Sequence, residues 1–191
     1  MKSRGYISCA ILVMMVILTS CDNEPNKTGV SDEKLFYPAF TFISQELRSI
    51  DSMDLALFRY EQTGDHKDTT IMEKAAFRKF VESIFTAEML SEPGKYEYQR
   101  RIFMDETIGK ITITMDALNP AATVRRMDML MDPESDAIKS IYAEISKVEG
   151  DKKVFRKMTW TAGLQLTAGI EEISGRDTHY SRLRILWGTP Q

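Results

Sequence analysis

From Lys95 to Trp187 the chain breaks into short runs in which apolar and polar residues alternate, and this period of two commits its second half to antiparallel strands. Ile111, Ile113 and Met115 interleave with Lys110, Thr112 and Thr114, the pattern of a strand with one face buried. Strands are predicted over 96–104, 110–116, 122–131, 154–160, 164–173 and 180–187. Asn119-Pro120, Gly163 and Gly175-Arg176-Asp177 mark corners between them. Residues 136–148 fit two patterns. Ile138, Ile141, Tyr142, Ile145 and Val148 make a helical stripe, whereas Ile141, Ala143 and Ile145 share one face of a strand. The strand is favoured, because Glu149-Gly150-Asp151-Lys152 then turns the chain straight into Val154 and keeps the meander continuous.

The first half has a different period. Phe36, Phe40, Ile43, Leu47 and Ile50 recur every three or four residues and predict a helix over 38–50, with Pro38 suited to its first turn. A hairpin follows, from 55–62 through the turn formers of 63–68 to 69–72. Thr70 with Glu73 reads as a capping box for a second helix, whose buried face is Phe77, Phe80, Val81, Ile84 and Phe85 and which Pro93-Gly94 closes off. The fold class is therefore α+β: two amphipathic helices packed on a curled, mainly antiparallel sheet, a meander.

Ahead of these elements, Lys2 and Arg4 lead into the apolar run 7–18 and then Leu18-Thr19-Ser20-Cys21, the layout of a secretory signal. It resembles the lipobox of bacterial lipoproteins. That resemblance implies a signal peptide over 1–20, a lipid on Cys21 as the first residue of the mature protein, and a membrane partner through that lipid. Residues 21–32 then form the lipidated cysteine and a polar tether with Pro25 and Gly29, and 33–191 a single domain. Asp22 resembles an inner-membrane retention signal in enteric bacteria and a surface-export signal in the Bacteroidota, so both the periplasmic face and the cell surface stay open. Cys9 would leave with the signal, so no thiol remains for a disulfide, thiolate metal site or nucleophile.

The chain has 25 basic and 28 acidic residues, a net charge of −3, which argues against a general nucleic-acid binder. Basic residues cluster at Arg100/Arg101, Arg125/Arg126, Lys152/Lys153 and Arg182/Arg184, and are read as split between the faces of strands and solvated. Met127, Met129 and Met131 point the same way on a strand. As soft thioethers they suit Cu(I), but as adaptable apolar groups they suit a core or groove wall, which is the reading preferred. His66 and His179 have no partners at ligand spacing, and Ser181 beside His179 makes no triad. Asp105-Glu106 reads as part of a turn, and Glu171-Glu172 as opposite faces of a strand. Neither a phosphate-binding glycine loop nor an EF-hand loop is present. Trp160 and Trp187 are read as large core pieces.

The layout resembles small uncharacterised lipoproteins of the Bacteroidota, and the helix-covered curled sheet resembles the lipoprotein carriers of the bacterial envelope. The expectation is a lipid-anchored, non-enzymatic envelope protein with no cofactor, binding a protein partner or a hydrophobic, lipid-like ligand in a groove walled by Met127, Met129, Met131 and Trp160. Two rivals are an envelope hydrolase built on carboxylates such as Asp105, Asp128 or Glu172, and a structural accessory subunit docking through a sheet edge.

Overall fold

The computed structural model describes residues 35–188. The signal over 1–20, Cys21 and the tether to 32 lie outside them. The chain is α+β: helix α1 (Tyr37–Ser52), strands β1 (Leu57–Thr63) and β2 (His66–Met72), helix α2 (Lys74–Ile84), and a 3-10 helix (Ala87–Gly94). Seven strands follow: β3 (Tyr98–Asp105), β4 (Lys110–Ala117), β5 (Val124–Met131), β6 (Ile138–Glu149), β7 (Lys152–Thr161), β8 (Gln165–Ser174) and β9 (Asp177–Leu186). Residues 138–149 are thus a strand, paired along their length with both β5 and β7.

All nine strands form one antiparallel sheet in the order β2-β1-β9-β8-β7-β6-β5-β4-β3. From β3 to β9 it is a meander, each strand beside its sequence neighbour. The early hairpin β1-β2 then attaches to the last strand, Phe58 opposite Leu186 and Thr63 opposite Ser181. The sheet stays open, with β2 and β3 at its edges. Among the described residues no helix is long and apolar enough to cross a membrane.

Three expectations are corrected. The capping box does not form: Thr70 pairs with Arg59 inside the hairpin and Glu73 occupies the N-cap without a side-chain bond, because strand pairing runs on through Met72. The six-residue turn contracts to Gly64-Asp65, with Thr63 paired to His66 and Gly64 at φ 57°. Pro93-Gly94 does not merely close α2; it ends a separate 3-10 helix.

Register defines the two faces of the sheet. On the inner face Leu183, Ala168, Met158, Ala143, Met127 and Met115 lie in one row, and Ile185, Leu166, Trp160, Ile141 and Met129 in the next. These residues are buried in one core with Phe42, Ile43 and Leu47 of α1 and Phe77, Val81 and Ile84 of α2. Its centre is aromatic. Trp160 meets Phe42 at 6.3 Å, Phe77 at 5.8 Å and Trp187 at 5.6 Å between ring centroids.

Two carboxylates tie irregular segments to this core. Glu92, buried in the 3-10 helix, accepts the Thr123 and Val124 N–H groups at 3.0 and 2.9 Å and the Tyr98 hydroxyl at 3.0 Å. Burial, then the Glu92 carboxylate, pushes the Tyr98 phenol well above its ordinary pKa. Glu46 on α1 accepts the Gly163 N–H at 2.8 Å and the Trp160 indole N–H at 3.3 Å, fixing the β7-β8 corner against the helix.

Candidate functional site

The sequence-predicted wall residues separate by place. Met127, Met129 and Trp160 are buried at 0%, 2% and 1% exposure, and the rings of α1 and α2 occupy the space beside Trp160. Met131, at the far end of the same strand, is half-buried and borders an open cavity of about 620 Å³. The helix α1 lines it with Pro38, Phe42 and Glu46, and the sheet side with Met131, Ile138 and Ala162. Pro38 suits the first turn of α1 because its missing N–H has no partner there in any helix. Strand β6 carries an extra residue, Lys139, opposite the Leu130-Met131 step, which brings Met131 opposite Ile138. Asp136, beside the cavity, holds φ 53° in the connection entering β6.

Apolar surface runs outward from this cavity. Met131 pairs with Ile111 across β4, and Ile111 pairs with Met104 on the edge strand β3. Ile113, Met131 and Ile138 are partly buried against the core, while Ile102, Met104 and Ile108 are 55%, 47% and 57% exposed. The inner face is thus dry under the helices and open at the β3-β4 end. The polar groups at the cavity include Glu46, already bonded to Trp160 and Gly163, and Gln45 and Asp136 at the rim. By register Arg100 of β3 and Glu172 of β8 lie on the same face of the sheet.

The candidate carboxylates are not brought together. By register Asp128 is on the outer face, where Arg126 binds it at 2.9 Å, and Glu172 is on the inner-face side of β8, where Lys152 meets it at 3.2 Å. Asp105 ends β3 and accepts the Thr107 N–H within its own turn. His66 and His179 are exposed on β2 and β9. Among the described residues no three His, Cys, Asp or Glu side chains gather as a group that could hold a metal ion.

The outer face is polar and largely self-neutralising over β3 to β7. Arg101 binds Asp116, Arg126 binds Asp128, and Lys157 stands 3.8 Å from Glu144. The Tyr142 hydroxyl donates to Glu144; burial first, then that bond, raises its pKa to about 12. The reading of the basic pairs as split between faces fails for Arg182 and Arg184. They are two residues apart on β9, so both lie on the outer face and exposed. Sequence reasoning read them only as solvated and did not connect them with Gly169, which lies opposite Arg182 and Lys157. The available signal was a glycine inside a strand.

Searches against protein-family models, curated proteins and solved structures return no match for this chain.

Proposed function

We propose that this chain is a lipid-anchored, non-enzymatic binding protein of the bacterial cell envelope, tethered through Cys21 and holding a hydrophobic ligand of acyl-chain type. In this reading the sheet curls around the two helices, as long open sheets tend to do. The cavity beside Met131 is then the mouth of a cup whose floor is the aromatic core. The observation that carries the reading is the continuous apolar path from buried Met129, through Met131 and Ile111, to exposed Met104. A cavity of about 620 Å³ is within the range that encloses a small ligand, and exposed apolar surface contiguous with a core marks a binding face. The lipobox supports the anchor and the envelope location.

Bromine quenches indole emission at short range, so a brominated fatty acid tests the cavity. Trp160 reports on it through Glu46, which lines the cavity and accepts the indole N–H. Saturable quenching is expected, and Ala162→Leu, which fills the cavity, is expected to weaken it about tenfold or more, the scale of a lost apolar contact of roughly 1.4 kcal/mol. Absent quenching, or quenching unchanged in Ala162→Leu, refutes the reading.

A further inference from the structure

Gly169 sits inside β8, a central strand, where glycine weakens pairing and commonly marks the close approach of something else. Neither the backbone nor a neighbour requires it. Its φ is outside the left-handed range, and a Cβ built there meets nothing within 4 Å. The space above it is a groove on the outer face, about 550 Å³ on one side and about 480 Å³ on the other, with Gly169, Gln62 and Arg182 common to both.

The register places charge around that floor. Arg182 is opposite Gly169 on β9 and Lys157 opposite it on β7, each about 4.8 Å away across the sheet. Arg184 lies two residues further along β9, opposite Thr167. Among the described residues Arg182 makes no ion pair, and Arg184 donates to the neutral Gln165 at 2.7 Å instead of a carboxylate. Lys157 already stands 3.8 Å from Glu144, and over β3–β5 of the same face the arginines are matched by aspartates, so the unmatched charge is that of Arg182. Arg184 also lies over the Tyr60 ring at 5.9 Å, so among the described residues Arg182 is the cation of this patch that no ion pair, hydrogen bond or ring contact engages.

We propose that this groove binds a phosphate-bearing polar molecule, its phosphate seated over Gly169 between Arg182 and Lys157. A phosphate monoester carries close to two negative charges and the phosphodiester of a lipid headgroup carries one; both present oxygens that an arginine binds through charge-assisted hydrogen bonds. The body of the ligand lies toward β1 and β2, over Gln62, Tyr60 and Thr69, which offer hydrogen bonds and a ring. Carboxylates border both sides: Glu61, paired with Arg59 at 2.7 Å, and Asp68 line the first groove together with Lys67, and Glu171, which accepts the Tyr180 hydroxyl at 3.0 Å, lines the second beside Lys157. The same chemistry is found in a soluble sugar phosphate and in a phospholipid headgroup.

Calorimetric titration of the full chain in non-ionic detergent separates these sources. Glucose 6-phosphate probes the soluble one, deacylated phosphatidylglycerol the headgroup, and glucose and inorganic phosphate are controls. One of the two organic phosphates is expected to bind more tightly than either control, and which one does identifies the source. Gly169→Leu is expected to keep or raise the melting temperature, since it adds a strand-compatible side chain in open space, and to lose binding. Arg182→Gln, an exposed change, is expected to cost about tenfold or more in affinity, the scale of a charge-assisted hydrogen bond. No binding by either organic phosphate overturns the proposal. So do inorganic phosphate binding equally well, and affinity that survives both substitutions.

Discussion

Truncating Glu92 to alanine is expected to be among the most damaging single changes outside the aromatic core. One carboxylate there holds three donors, two of them backbone N–H groups at the entry to β5. Hydrogen bonds to a carboxylate contribute about 1.5–3 kcal/mol each, so three set a ceiling near 4.5–9 kcal/mol. The ceiling is not reached, because burying the carboxylate itself costs several kcal/mol, which truncation recovers, and because Thr123 is only half-buried and water can reach its N–H. The Val124 N–H has no such relief: that residue is fully buried. A net loss of about 3–5 kcal/mol follows, in line with the breaking of other buried polar networks. For a domain of this size that lowers Tm by roughly 6–20 °C. Glu92→Gln should lose far less, about 1–2 kcal/mol. Its single amide oxygen can serve the position of Oε2, which takes Val124 and Tyr98, and leave its NH2 toward the hydratable Thr123 side. Urea unfolding read by tryptophan emission measures both variants, since Trp160 and Trp187 meet edge to face in the core. An alanine variant within about 0.5 kcal/mol of the parent, or a glutamine variant as damaged as alanine, refutes the latch.

Phe77→Ala removes a ring that touches both tryptophans, at 5.8 and 5.4 Å, and should cost about 3–5 kcal/mol in the same urea assay. Gly188→Ala should be destabilising although the residue is near the end of the sheet, because a Cβ there would fall 2.1 Å from the Gly163 carbonyl; a Tm equal to the parent's contradicts this. Arg156 bonds Glu149 at 2.9 and 3.3 Å and holds its carboxyl below the ordinary value of 4.5. The folded pKa is depressed, so the bridge stabilises above pH 4.5 and that stabilisation is lost as pH falls through the folded value; urea midpoints of the parent and Arg156→Gln should converge on acidification. Tyr142 should titrate near 12 by ultraviolet absorbance, and Glu144→Gln should bring it down. Because its folded pKa is raised, this group's contribution is complete below pH 10 and disappears as pH rises toward 12.

The strands from β4 onward were legible because each has one wet and one dry face, and alternation reports that contrast directly. The β6 strand was ambiguous because its extra residue, Lys139, breaks the alternation and puts Ile138 and Ile141, three residues apart, on one face, a spacing that also fits a helix. The capping box was misread because Thr70-x-x-Glu73 satisfies a local rule, while pairing with Arg59 satisfies Thr70's own backbone. No local pattern announces that β1 will lie beside β9, and the groove over Gly169 depends on it, since Tyr60 and Gln62 come from one strand and Arg182 from the other. The burial of Met127 beside the exposure of Met104 could not be read either. Both are methionines on alternating strands, and what differs is how far the helices reach over the sheet.

The attachment of β1 to β9 has a consequence for how the protein is made. Phe58 meets Leu186, so the first hairpin emerges early in synthesis and has no neighbour on one side until almost the whole sheet exists. Closing so long a loop is entropically slow, and during that interval β1 and then β8 present open edges with apolar neighbours. Completion of the sheet therefore waits for its last strand. A chain released before residue 177 would lack the strand that joins its two ends and should be a substrate for chaperones and proteases rather than a smaller version of the fold.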